Sequence, residues 1–155
     1  MTKMNQAAAG AGGLSPYIAV RDAAAAIEFY KLAFGAEELF RLVDPASGKI
    51  GHAEIHIGKG LLMISDEYPD FGALSPDSIG GSAVKLHIDV ENAAHVLRSA
   101  EAAGATVLRK LELQFHGCKQ ALIADPFGYS WFVSELVEEV TPVEMQARWS
   151  KMGNI

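Results

Sequence analysis

One cysteine, Cys118, occurs in 155 residues. A disulfide framework within the chain is therefore impossible, and a lone thiol fits a reducing cytoplasm. Long apolar runs are missing too: none approaches the roughly 18 residues that span a bilayer as a helix, so no membrane partner is expected. Positive charge is in short supply, with 13 Lys and Arg against 19 Asp and Glu and a formal net charge of -6. Without a basic face, nucleic acid is a poor partner. Residues 1–13 lack the apolar block of a secretory signal and read as a flexible leader. Phosphate loops, nucleophile elbows and zinc-finger spacings are absent. Half of the residues are hydrophobic and only 21% are charged, which argues against disorder and leaves one domain with a real core.

The most informative stretch is 51–66, GHAEIHIGKGLLMISD. His52, Glu54 and His56 alternate with Ala53, Ile55 and Ile57, and a strand sends successive side chains to opposite faces. One face is thus apolar, and the other carries two imidazoles and a carboxylate. Gly58 and Gly60 around Lys59 mark a turn, and LLMIS reads as the returning strand of a hairpin.

Around this hairpin the chain repeats itself. Residues 14–20 read as a strand, followed by a helix capped by Asp22 and closed by Gly35, on which Ala26, Ile27, Tyr30 and Phe34 share a face. Residues 36–43 are strand-like, DPASGK is a turn, and the hairpin follows. Residues 67–82, rich in Pro, Gly, Asp and Ser, read as a linker loop. The order then recurs about 70 residues on: a strand at 83–90, a helix closed by Gly104, strands at 105–113 and 117–124, a DPFG corner, and a strand at 129–136. Thr141, Pro142 and Glu144 open a short last helix with a capping-box pattern. The expected fold is α+β: βαβββ modules at 14–66 and 83–136 around the 67–82 linker, with a C-terminal helix and tail at 137–155.

Two such modules resemble the vicinal oxygen chelate superfamily, which includes glyoxalase I, bleomycin-resistance proteins and extradiol dioxygenases. AAIEFYKLAFGAEE in the first module and AAGATVLRK and IADPFGYSW in the second carry the resemblance. HAEIHIG, LLMISDE and TPVEMQARW look more narrowly like the PhnB-like branch, and the match covers residues 14–152. It implies a cupped mixed sheet with helices on its outer face, a ligand cleft built from two module sheets, and a homodimer. On that fold Ile18, Val20, Ala53, Ile55, Ile57, Val84, Leu86 and Ile88 belong under the helices. Ser15, Tyr17, His52, Glu54, His56, Lys85 and His87 then line the cup. A solvated sheet face would give the same alternation. Histidine and tyrosine among the polar residues, and the oily Met63, Leu122 and Phe132 beside them, favour a pocket.

Metal-using members of that superfamily place His or Glu on the first and fourth strands of each module. The resemblance puts Ser15, Met63, Lys85 and Phe132 there, none a good ligand for a divalent ion, and the ammonium of Lys85 would repel one. No metal and no cofactor are therefore expected, and no catalytic residue is identified. His52, Glu54 and His56, with His87 across the sheet, could form a relocated two-His, one-carboxylate site, although a flat row rarely converges on one point. Equally, His52 and Glu54 could bond each other or Lys85 as a satisfied network. Asp66, Glu67 and His95 are expected to face water. Cys118 and Lys119 stand where PhnB-like chains often carry an acidic and then a basic residue, and His116 next to Cys118 does not make the thiol a nucleophile by itself. The first reading is a metal-free small-molecule binding protein using Tyr17, His52, Glu54, Met63, Lys85, His87, Gln120 and Phe132. The alternative is a glyoxalase- or dioxygenase-like enzyme with a relocated metal on His52, Glu54 and His87.

Overall fold

The structure, a computed structural model, describes residues 13–153. Apart from Gly13, the expected leader lies outside the described residues. Strand β1 (Tyr17–Val20) leads into helix α1 (Ala23–Phe34), then β2 (Glu37–Val43), β3 (Ile50–Ile57) and β4 (Gly60–Asp66). The second module runs β5 (Lys85–Asp89), α3 (Ala93–Ala103), β6 (Thr106–Leu113), β7 (Cys118–Ala124) and β8 (Ser130–Leu136). Between them lies a short helix α2 (Pro76–Ile79), and α4 (Pro142–Lys151) closes the chain.

Local chemistry sets the helix ends. Asp22 accepts the Ala25 N–H ahead of α1, Asn92 accepts that of His95 ahead of α3, and Thr141 accepts that of Glu144 ahead of α4. Gly35, at φ 68°, ends α1 in the left-handed region. At α4 the Glu144 carboxylate pairs with Arg148 rather than reaching back, so the expected box is only half made.

Each module forms its own four-stranded sheet, in the orders β1-β4-β3-β2 and β5-β8-β7-β6. Only the first pair in each order is parallel, so both sheets are mixed. Ile18, Val20, Ala53, Ile55 and Ile64 on the first sheet, and Leu86, Ala121, Ile123 and Val133 on the second, are buried against the helices. Helices α1 and α3 pack on one another between the two modules. The join is aromatic: Tyr30 and Phe34 of α1 lie 5.3 and 4.8 Å from the Trp131 ring, and Phe29 meets Phe127. Among the described residues no helix is long and apolar enough to cross a membrane.

Several expectations change. Residues 67–82 are ordered by their own contacts: Tyr68 bridges Ala73, a 3-10 turn spans Pro69–Phe71, and Ser75 is fully buried. Glu67, expected in water, accepts from the Ser75 N–H and the Ser78 hydroxyl. Asp66 accepts the Ala23 N–H at 2.8 Å and the Ile50 N–H at 2.7 Å, tying the N-terminus of α1 to the hairpin. Its counterpart Glu135 meets the Ala93 N–H at 3.4 Å, so the duplication extends to this brace. Val84 lies outside β5 and is exposed, because the strand begins one residue later. His95 is exposed, as expected.

Candidate functional site

The faces turned away from the helices carry the chemistry. On the first sheet the register sets Tyr17 beside Met63, Met63 beside Glu54, and Glu54 beside Phe40, one straight row across four strands. At its centre the Glu54 carboxylate is 3% exposed. His52, two residues along β3, spans Tyr17 and Glu54: its Nδ1 lies 2.9 Å from the Tyr17 hydroxyl and its Nε2 lies 3.1 Å from Glu54 Oε1. A carboxylate only accepts, so Nε2 carries the proton that points to Glu54. In the neutral imidazole Nδ1 then accepts from the phenol. Glu54 Oε2 is buried and has no partner among the described residues. The rings of Tyr17 and Phe40 flank His52 at 5.4 and 5.7 Å.

The second sheet repeats the row with different chemistry. His87 lies beside Phe132, Phe132 beside Leu122, and Leu122 beside Arg109. By position His87 answers to Tyr17, Phe132 to Met63, Leu122 to Glu54 and Arg109 to Phe40. The buried carboxylate of one module is thus a buried leucine, 5% exposed, in the other. A shallow cavity of about 320 Å³ opens on this face, with Arg109, Gln120, Leu122 and Phe132 in its wall.

Period two alone does not reveal Phe40 or Arg109. The pairing slips between Glu38 and Phe40 on β2 and between Val107 and Arg109 on β6, equivalent places in the two modules. An extra residue at such a bulge re-aims the side chains that follow it. Here it turns Phe40 and Arg109 toward the open face. The repeated strand pattern is the only sequence signal, and it does not locate the slip.

Of the expected residues, Tyr17, His52, Glu54 and Met63 come together on the first sheet. His87, Phe132 and Gln120 share the open face of the second. Lys85 also stands on the second sheet, exposed, so the considered Lys85–Glu54 pair does not form within the chain. His87 and the His52–Glu54 pair are on different sheets for the same reason. Among the described residues no three His, Cys, Asp or Glu side chains are grouped to hold an ion. The register also replaces Ser15, which lies ahead of β1, by Tyr17 as the neighbour of Met63. The paired positions on the first and fourth strands are then Tyr17 with Met63 and His87 with Phe132. One imidazole among those four does not make a divalent site.

Elsewhere, Tyr129 and Trp131 belong to the core. Cys118 is a half-buried free thiol near His116 beside α4.

Comparison with known proteins agrees with this architecture. Residues 5–133 match the Glyoxalase/Bleomycin resistance protein/Dioxygenase superfamily, and the chain belongs to that family. It is 40% identical over 144 residues to an uncharacterized protein of Mycobacterium bovis, covering 91% of this chain and 94% of that protein. Among solved structures it resembles TioX from Micromonospora sp. ML1, with TM-score 0.62, 23% identity, and coverage of 84% of this chain and 100% of that one. The fosfomycin resistance protein FosX of Listeria monocytogenes, solved with Mn(II) and a dihydroxypropylphosphonic acid, has TM-score 0.61 at 13% identity, covering 89% and 98%. At these identities the two structures are similar to this chain in fold.

Proposed function

We propose that the protein is a small-molecule binding protein that captures its ligand without a metal, as a homodimer in a reducing cytoplasm. The observation that carries this reading is Glu54: a carboxylate 3% exposed, one oxygen held by His52 and the other unpartnered among the described residues. Leaving such an oxygen unpaired costs about 1–3 kcal/mol, so a row that keeps it has a use beyond folding. Tyr17, Met63 and Phe40 around it supply the apolar and aromatic lining usual in ligand sites. The donor set at Tyr17, Met63, His87 and Phe132 supports metal-free capture.

The homodimer reading rests on the open faces. Within one chain both polar rows look outward, and Leu42, Val43, Leu108 and Leu113 of β2 and β6 are more than half exposed. Apolar surface beside an open site suits a second copy that closes a cleft over it. Placement on the PhnB-like branch is supported by HAEIHIG, LLMISDE and TPVEMQARW and by similarity to a PhnB protein from Bacillus cereus, with TM-score 0.59 and 17% identity. A second reading is favoured by the same free oxygen. Hydrogen-bonded to His52, Glu54 could remove a proton from a bound substrate, as an isomerase base does.

A thermal-shift screen of metabolites and antibiotics on wild type, His52→Ala and Lys85→Ala tests the first reading, with size-exclusion chromatography for the dimer. A ligand that raises the wild-type melting temperature, loses its effect in His52→Ala and is recovered chemically unchanged supports capture. Turnover of that ligand, abolished by Glu54→Gln, selects the isomerase. Stoichiometric tightly bound metal after purification overturns the metal-free reading.

A further inference from the structure

The cavity on the second sheet carries a positive charge, Arg109, in its wall. Of the charged groups in its wall, Lys110 and Glu112 pair with each other at 3.2 Å. Arg109 enters no ion pair or hydrogen bond among the described residues, although the β6 bulge aims it at this face. Lys85 and His87 stand on the same sheet, and the Asp89 carboxylate lies 3.9 Å from His87. The cross-strand neighbours Leu122 and Phe132 give the same cavity an apolar portion of wall. Gln120, two residues from Leu122 on β7, adds a half-buried amide whose side chain has no partner among the described residues.

We infer that this cavity takes a small planar organic anion, a carboxylate or phosphonate on an unsaturated ring. The Arg109 guanidinium would hold the anion, and Phe132 with Leu122 would carry the ring. The assignment rests on the small-molecule reading above and names the ligand's chemistry. A guanidinium presents two parallel N–H donors that match two anionic oxygens, where an ammonium is only a point charge. The ring of Phe132 offers a face or edge to a second aromatic ring. A volume of about 320 Å³ is at the small end for an organic-ligand site and has room for a ring with a short substituent. The duplication sharpens the contrast. Among the described residues the first sheet's row has an unpaired acceptor at its centre, whereas this row has an unpaired donor at its end, so the two half-sites select opposite chemistry.

Four probes of nearly one shape separate the possibilities: benzoate, phenylphosphonate, benzyl alcohol and benzylamine, titrated into the full-length protein with amide chemical shifts as readout. The expected result is saturable shifts at Gln120, Leu122 and Phe132 with benzoate or phenylphosphonate, and weaker binding of the alcohol and amine. Preference between the two anions identifies carboxylate or phosphonate, and either supports the assignment. Arg109→Gln, at an exposed position, should weaken anion binding about tenfold and leave benzyl alcohol unaffected. Arg109→Lys should fall between the two, because it keeps charge but loses the fork. Equal binding of alcohol and anion, or an Arg109→Gln protein that binds the anion like wild type, overturns the inference. Preference for benzylamine overturns it while leaving small-molecule capture standing. Silence from all four probes also overturns it, and capture itself then falls only if the wider metabolite screen is silent too.

Discussion

Tyr30 and Asp125 are 95 positions apart in the chain, yet the buried phenol donates to Asp125 Oδ2 at 2.6 Å. The same carboxylate accepts Trp131 Nε1 at 2.9 Å and the Phe127 and Tyr129 N–H groups at 2.8 and 3.0 Å. One side chain thereby shapes the DPFG corner, orients the Trp131 indole and fastens α1 of the first module to the second. Tyr129 adds a bond from its hydroxyl to the Ala19 carbonyl. The corner is a joint between modules as well as a turn.

Asp125→Ala should therefore be among the most destabilising single changes. It strands four donors in a protein interior, and losses of about 3–5 kcal/mol are expected from chemical denaturation. Tyr30→Phe removes one donor and no shape, so about 1–2 kcal/mol is expected. A double-mutant cycle should show the two losses to be less than additive. Additive losses would mean that the pair is not coupled.

The same contact sets an alkaline limit. Burial, and then the Asp125 carboxylate, hold the Tyr30 hydroxyl well above its usual value of 10.0. The unfolded chain releases that proton first, so it binds fewer protons than the native state above about pH 10 and stability falls as pH rises further. Wild type should lose stability faster than Tyr30→Phe above that point. Parallel curves would show that Tyr30 ionises in the folded protein as easily as in the unfolded chain.

Acid acts at a different place. The hydrogen bond from Arg41, with help from Lys31, lowers the Glu38 carboxyl from 4.5 to about 2. The contact of 2.5 Å to Arg41 Nε lies within β2, and that of 3.0 Å to Lys31 Nζ anchors the start of β2 to the end of α1. Because the native value is depressed, the stabilisation is present above pH 4.5 and is lost as pH falls toward about 2. Glu38→Gln should be less stable at pH 7 and should converge on wild type at the acid end. Urea midpoints measured from pH 7 down to 2.5 would check this, and a constant gap between the two proteins would refute it.

The β6–β7 turn tolerates no side chain at Gly117. Its φ is 96°, and a β-carbon there would stand 2.0 Å from the Glu138 carbonyl oxygen, which belongs to the segment leading into α4. The Gly117 carbonyl accepts the N–H groups of Val137 and Glu138, so the turn and that segment are fastened together. Gly117→Ala should cost more than about 2 kcal/mol, through both left-handed strain and the clash. A melting temperature within a degree of wild type would show that the segment yields freely.

Much of this architecture is legible in the sequence because its causes are local. Asp22 and Gly35 bound α1 by capping chemistry, and the alternation of Ala53 and Ile55 with His52 and Glu54 separates the two sheet faces. The duplication is visible in the repeated order of elements. What stays hidden depends on register and on distant partners. A bulge at Leu39 or Leu108 leaves no mark in composition, yet it decides that Phe40 and Arg109 face the open side. Asp66 looks like a loop carboxylate until α1 folds back to present the Ala23 N–H. Lys85 and Glu54 are both inner-face residues, but alternation cannot tell that they are on separate sheets.

The equivalence of Glu54 and Leu122 yields the most direct check on the site. Both occupy the third position of a four-residue row, both are nearly inaccessible, and the second module folds with leucine there. Glu54→Leu removes a buried carboxylate with an unpaired oxygen and puts an apolar group of similar length between Met63 and Phe40. His52 then loses the acceptor for its Nε2 proton but, at 26% side-chain exposure, can turn that nitrogen to water. The net change should be stabilising by about 1 kcal/mol, which is about 2–4 °C in melting temperature for a domain of this size. Ligand capture on the first sheet should be lost in the same variant, the exchange of stability for function usual at binding sites. If the variant instead melts lower than wild type, the carboxylate is satisfied within the fold and the case for a site at Glu54 is lost.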